Sequence, residues 1–477
     1  MKYLQLQLLT VFTIIFSTTD AFAKIRLSYF FSDGMVLQRE SKPAIWGWTD
    51  TKNTVTITTS WDKKKYTAKP DEKGQWKTFV TTTKAGGPYT ITISDGNMVS
   101  IKNILLGEVW MCSGQSNMEM PMKGFKDQPI DESNDYIFNS DNNEIRLYTI
   151  PRSVQPVALD TSKNSTWKIA NPADVSNFSA TAYFFGKMLY DKLKVPIGLI
   201  NVSYGGSPVE AFMDKASLSG YDFKIPEANT SVKLNNRYPT VLYNGMVHPF
   251  IGYGIKGVIW YQGETNADRA KQYETLFPDF IKMLRSKFGY GDFPFYYVQI
   301  APFDYNRNKK PGDKLTNSAF LRDAQRKSLD KVPNTGMAVT LDIGDHVYIH
   351  PRDKKNVGKR LALMALNKTY GYKGFQSESP LYENIIFRND TAAITFKNAS
   401  NGLTSYGMPL NNFEIAGADK KFYPANASIV AGKIEASSPQ VKNPVALRYA
   451  FKDYTKGNLF NTEGLPASSF RTDDWDD

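Results

Sequence analysis

Leu105-Leu106-Gly107-Glu108-Val109-Trp110-Met111-Cys112 is apolar almost throughout and stops at a polar turn, Ser113-Gly114-Gln115-Ser116-Asn117-Met118. A short apolar run closed by a glycine-bearing turn reads as a buried strand, because a strand covered on both faces has no polar side to show. Downstream, Ala182 to Leu193 places Phe184, Phe185, Met188 and Leu189 on one helical face, and a second apolar strand follows at Ile197 to Val202. The alternation continues with strands at Val258–Tyr261, Phe295–Ile300 and Met337–Leu341, separated by helical patterns at Tyr273–Phe288 and Ala319–Leu329. Strands and helices in this rhythm predict an α/β unit with a parallel sheet covered by helices.

The flanks have a different texture. From Ile25 to about Ile104 the pattern alternates between polar and apolar, as in Thr54-Val55-Thr56-Ile57-Thr58 and Tyr89-Thr90-Ile91-Thr92-Ile93, which predicts a small antiparallel β-sandwich. Short strands return at Ala392–Phe396, Phe413–Ile415 and Val445–Tyr449, so residues 391–477 are expected to form a β unit packed on the catalytic domain. The expected division is a leader over 1–23, a sandwich over 24–104, a catalytic domain over 105–390 with a polar insertion at about 152–177, and the terminal β unit. Met1 to Ala23 has a lysine near its start, an apolar stretch from Leu8 to Phe16 and an Ala21-Phe22-Ala23 end that suits signal peptidase. That stretch is well short of the roughly 20 residues a spanning helix needs. An exported protein, periplasmic or secreted and without stable membrane insertion, is therefore expected.

Composition excludes some classes. The chain of 477 residues exceeds what one hydrophobic core usually organises. Its net charge of +11 comes from scattered lysines with no basic run of five or more and no basic-aromatic stripe, which argues against nucleic acid as a partner. The single cysteine, Cys112, rules out an intramolecular disulfide, and its place in an apolar strand reads as a buried spectator. No cluster has the spacing of a zinc or calcium site, so a metal mechanism is not expected.

Ligands of open α/β sheets bind beyond the carboxyl ends of the strands. Three turns fall there: the one holding Gln115, Ser116 and Asn117; Ser203-Tyr204-Gly205-Gly206-Ser207; and Gln262-Gly263-Glu264-Thr265-Asn266. A fourth segment, Asp342-Ile343-Gly344-Asp345-His346-Val347-Tyr348-Ile349-His350-Pro351, holds two of the chain's three histidines. Together they offer the inventory of acyl transfer: a hydroxyl nucleophile, an imidazole base, a carboxylate and oxyanion donors. Each turn alone fits a tight turn with a helix cap equally well.

Gly107-Glu108-Val109-Trp110-Met111-Cys112-Ser113-Gly114-Gln115-Ser116-Asn117-Met118 resembles the first block of the sialate O-acetylesterase family, within the SGNH hydrolase group. The likeness extends to Trp260–Ala267, Ile349–Lys354, Phe413–Asp419, Phe470–Trp475 and the amino-terminal Phe31–Arg39. It implies a flavodoxin-like sheet with β-sandwich attachments and an esterase that releases acetate from an O-acetylated glycan without a cofactor. It also implies Ser116 as nucleophile and His350 as base, with the N–H groups of Ser116 and Gly206 and the amide of Gln262 forming the oxyanion hole.

The acid does not follow the pattern. Where the wider group carries Asp three residues before the histidine this chain has Val347, and where related sequences carry it two before there is Tyr348. Asp345 is the favoured acid, with Asp342, Glu264 or a backbone carbonyl as alternatives. Gln115, Asn117, Glu264, Asn266 and Arg352 are expected to face substrate or support those that do. His248 is expected to fix a loop near the cleft, and His346 to sit exposed. O-acetylated sialic acid is the first substrate reading. Acetylated xylan or another hemicellulose is the second, and a non-catalytic glycan-binding protein the third. The sequence sets no oligomeric state.

Overall fold

The computed structural model describes residues 25–475. The leader assigned to Met1–Ala23 lies outside them. The chain opens with two small sheets that share one apolar core. The first contains β1 (Ala44–Trp48), which later pairs with β3; the second contains β2 (Val55–Thr59). β3 (Gln75–Phe79) and β4 (Gly86–Ser94) then lead into β5 (Met98–Gly114), whose first half pairs with β4.

β5 crosses the expected boundary at 104/105 without a break. Its first half belongs to the amino-terminal sheets and its second half is a central strand of the large sheet. Alternation gives way to continuous burial within the strand because its carboxyl half is covered on both faces.

The large sheet is completed by β6 (Asn142–Thr149), β7 (Ile197–Ser203), β8 (Gly257–Tyr261), β9 (Phe295–Val298) and β10 (Thr335–Ala338). Its order is β6-β7-β5-β8-β9-β10, all parallel. Leaving out β6, the strands run 2-1-3-4-5 in chain order, the doubly wound arrangement whose switch point lies beside the first strand. That strand is β5, and Ser116 lies in the turn just beyond its end.

Side chains of β5 alternate between two cores. Trp110 and Cys112 join the helices α1 (Ala180–Leu193) and α4 (Lys354–Met364). Val109 and Met111 join α2 (Ala270–Phe288) and α3 (Ala319–Ser328). Cys112 is fully buried, and burial pushes its thiol up, away from the reactive thiolate. The stretch 152–177 is not featureless. It contains a strand at Lys168–Ala170 antiparallel to β6, a helix at Pro172–Asn177, and Trp167, whose indole donates to Phe30 O at 3.0 Å. The carboxyl-terminal β structure begins with β11 (Leu381–Arg388), ahead of the expected Thr391, because β11 pairs along its length with β12 (Thr391–Lys397). Among the described residues no helix is long and apolar enough to cross a membrane.

Candidate active site

The site is built at the carboxyl ends of β5, β7 and β8. Beyond Trp110 and Cys112 the chain must turn sharply, and Gly114 does so with φ +140°; a Cβ there would meet Tyr261 O at 2.1 Å. Gln115 N then bonds Tyr261 O, and Ser116 opens a single helical turn, Ser116–Glu119. Gly205, in the turn after β7, lies against this serine: a Cβ on Gly205 would stand 3.2 Å from Ser116 Cβ and 3.0 Å from Glu119 Oε2.

Ser116 Oγ is 2.8 Å from His350 Nε2. The other ring nitrogen, Nδ1, is 2.6 Å from Gln128 Oε1. A carboxamide oxygen can only accept, so it places the proton on Nδ1 and leaves Nε2 to accept from the serine hydroxyl. Phe125 packs edge-on against the ring at 5.2 Å. Burial, and then the nearby Lys354 charge, push the imidazole down to about 4, so the ring is neutral at ordinary pH.

Asp345 is therefore not the partner of His350. Its Oδ1 accepts from the N–H of Val347 at 2.7 Å and of Tyr348 at 2.9 Å, tying up its own loop. Burial raises this carboxyl, but the Tyr348 and Val347 donors outweigh it and hold it below the usual range. Asp342 is spent on a two-pronged bond to Arg360. Glu264 accepts from Asn117 Nδ2 at 2.5 Å. Gln128 was not singled out from sequence, and nothing in its local pattern would have done so.

Asn117 is the hub behind His350. Its Nδ2 also donates to Ile349 O at 3.0 Å, and its Oδ1 accepts from Lys354 Nζ at 2.5 Å. Lys354 is fully buried; burial pushes its ammonium down to about 7 against the pull of Glu264 and Asp353. Burial likewise pushes Glu264 up. This Lys354–Asn117–Glu264 chain fixes the backbone of the residue before His350.

The oxyanion assignment needs one correction. Gln262 is fully buried and both its N–H bonds are used, one to Asn266 Oδ1 at 2.7 Å and one to Ser207 O at 3.2 Å. It braces the turn and does not face the cleft. Asn266 is likewise buried, accepting from Val209 N and donating to Glu210, so it supports the turn from behind. The N–H groups of Ser116 and Gly206 carry no hydrogen bond among the described residues. Gln115 accepts from Gly263 N and Thr265 N and lines the cleft. Two further residues missed from sequence hold the Gly205 turn: Glu119 accepts from Gly205 N at 2.8 Å and pairs with Arg152, while Asn236 donates to Gly205 O and Ser207 Oγ.

Ser116 and His350 line a cleft of about 720 Å³ with Gly206, Thr265, Tyr305, Arg237 and Lys309. Neither Arg237 nor Lys309 is paired with a carboxylate among the described residues. Arg352 lies on the other side of His350, exposed and 3.4 Å from Asp131. His248 does not belong to this cleft. It fixes a loop through Leu159 O at 2.9 Å but lines a separate cavity. His346 is exposed and lies 3.3 Å from Asp304. Among the described residues no three or more His, Cys, Asp or Glu side chains gather as a metal site would require.

Residues 106–367 match the family model of a carbohydrate esterase, sialic acid-specific acetylesterase. The chain is similar to the sialate O-acetylesterase of Homo sapiens, with 31% identity over 406 residues covering 78% of this chain and 76% of that protein. It is also similar to that of Mus musculus, with 30% identity covering 76% of each. Among solved structures, a carbohydrate acetylesterase from Xanthomonas citri superposes with a TM-score of 0.86 at 36% identity, over 95% of this chain and 100% of that one.

Proposed function

The chain belongs to the sialic acid-specific acetylesterase family of carbohydrate esterases, and we propose that it releases acetate from O-acetylated sugar by a serine mechanism on a flavodoxin-like SGNH hydrolase sheet. The 2.8 Å contact between Ser116 Oγ and His350 Nε2, at the floor of an open cleft, carries this reading. His350 takes the hydroxyl proton as Oγ attacks the ester carbonyl. The N–H groups of Ser116 and Gly206 receive the oxyanion. The sugar hydroxyl leaves with the proton held on Nε2, water repeats the sequence on the acetyl-serine, and acetate departs. Gln128 acts where a triad acid would, orienting the ring and fixing its tautomer without supplying a charge.

O-acetylated sialic acid is the favoured substrate, because Arg237 and Lys309 offer the cleft two cations free to meet a sugar carboxylate. An acetylated neutral polysaccharide is the second reading, supported by the likeness to the Xanthomonas citri carbohydrate acetylesterase. Export of the chain is part of the proposal. Acetate release from O-acetylated sialic acid and from acetylated xylan, each beside Ser116→Ala, tests it. Release that vanishes in the variant and is greater from sialic acid is expected. Release surviving the substitution overturns the serine mechanism, and a preference for xylan selects the second reading. No release from either by the folded protein overturns the esterase.

A further inference from the structure

We propose a second glycan-binding site, for a neutral pyranose unit, in the cavity that His248 lines. The cavity is about 380 Å³ and shares no lining residue with the Ser116 cleft. Its floor is one face of the sheet formed by β1 and β3. Trp46 lies opposite Lys77 and Trp48 opposite Gln75, and cross-strand partners point to the same face. Trp76, opposite Gly47, turns to the other face and fills the core beneath. Two half-buried indoles and two long polar side chains are thus presented together.

The rim comes from elsewhere in the chain. Asp160 accepts from Gln75 Nε2 at 3.2 Å, Asp71 accepts from Gln75 N at 2.8 Å, and His248 and Ile251 also line the cavity. His248 donates from Nδ1 to Leu159 O, which leaves Nε2 as an acceptor in the neutral ring. The placement is held from below, since Trp46 packs edge-on against Phe31 at 4.6 Å.

The ligand follows from this chemistry. A pyranose ring carries a patch of weakly positive C–H groups on one face and a rim of hydroxyls that donate and accept. Indole faces are negative and suit the first; a mixed ring of carboxylate, amide and imidazole suits the second. Asp71 and Asp160 outnumber Lys77 at the rim, which disfavours an acidic sugar and selects a neutral one. Such a site holds the glycan chain near the enzyme by a unit other than the acetylated one, whichever sugar carries the ester, and does not depend on Ser116 chemistry.

Calorimetric titration of the intact protein with cellohexaose, xylohexaose and sialyllactose tests this, alongside Trp48→Ala and Gln75→Ala, with 4-nitrophenyl acetate hydrolysis as an independent measure of the Ser116 site. A neutral hexaose is expected to bind at millimolar concentration or below. Trp48→Ala should weaken it at least tenfold and Gln75→Ala several-fold, with 4-nitrophenyl acetate hydrolysis unchanged. If Trp48→Ala does not fold, Gln75→Ala with Asp160→Ala carries the test. The site is overturned by absence of hexaose binding, by undiminished affinity in the folded variants, or by binding of sialyllactose that is tighter than that of either hexaose and is lost in Trp48→Ala. Tryptophan-dependent hexaose binding in a protein with no esterase activity would overturn the proposed function and leave this site standing.

Discussion

Ser116 and His350 approach each other from two sides of the cleft that are built in different ways. The serine side is backbone: β5 ends, Gly114 turns, a helical turn begins, and Gly205 leaves room for the next chain to pass. The histidine side is side chain: Gln128 orients the ring, Phe125 buttresses it, and Asn117 and Lys354 grip the residue before it. The proposed nucleophile, placed by main-chain geometry, depends on a few short turns that close on one another, each of them a run of neighbours in the sequence. The proposed base, placed by side chains, depends on Gln128, Phe125 and Asn117, each more than two hundred positions away, with only Lys354 close by in sequence.

Substitutions separate the two sides. Ser116→Ala removes the proposed attacking atom, and kcat should fall by at least about 10⁴-fold with the fold intact, as for a catalytic serine in general. Gly205→Ala tests the backbone side without touching a reacting group. Its methyl would press on Ser116 Cβ and the Glu119 carboxylate, and a displaced nucleophile costs on the order of 10²-fold in kcat/KM. Full activity in Gly205→Ala, with unaltered thermal unfolding, would break the claim that the serine is placed by close backbone approach.

The histidine side is tested at Gln128. Gln128→Ala frees the ring and its tautomer, with an expected loss of about tenfold to a hundredfold, less than a displaced nucleophile because the Asn117 grip persists. The pH profile sharpens this. In the proposed mechanism His350 acts only when neutral, and burial with the Lys354 charge holds its pKa at about 4. Activity on a neutral ester should therefore persist through pH 6 and fall on a one-proton limb near pH 4, where a histidine in water would already fail near about 6.5. Gln128→Glu places a carboxylate against Nδ1, favours the imidazolium and should move that limb upward. A limb that stays put would mean Gln128 does not face the ring as placed.

The same contrast decides what was legible in the sequence. Residues of the serine side announce themselves: an apolar strand ending in Ser113-Gly114-Gln115-Ser116 is a pattern of neighbours, as is the glycine turn after β7. The parallel sheet was legible for the same reason, although Met337–Leu341 was placed late, since β10 runs from Thr335 to Ala338. Gln128, Glu119, Arg152 and Asn236 were not legible, because each acts across a long loop and none carries a local signature. Gln262 misled because its turn lies at the expected place while its amide points into the protein, toward Asn266 and Ser207.

Asp345 gives the smallest effect and the sharpest discrimination. A carboxylate within a few residues of the base is where a triad acid is ordinarily sought, and losing a true one costs about 10⁴-fold in the serine protease case through the wrong tautomer. Here that carboxylate accepts from Val347 and Tyr348 on the exposed limb of the loop, and Gln128 holds the Nδ1 proton. Asp345→Asn keeps an oxygen that can accept the same two N–H groups, so the loop retains its shape and only the charge is lost. Activity should then stay within about threefold of the unaltered protein, because the proposed mechanism routes no step through this group, and the small residual change reflects slightly weaker neutral acceptors. A loss approaching the triad value, with the loop still folded, would return Asp345 to the base and leave Gln128 a bystander.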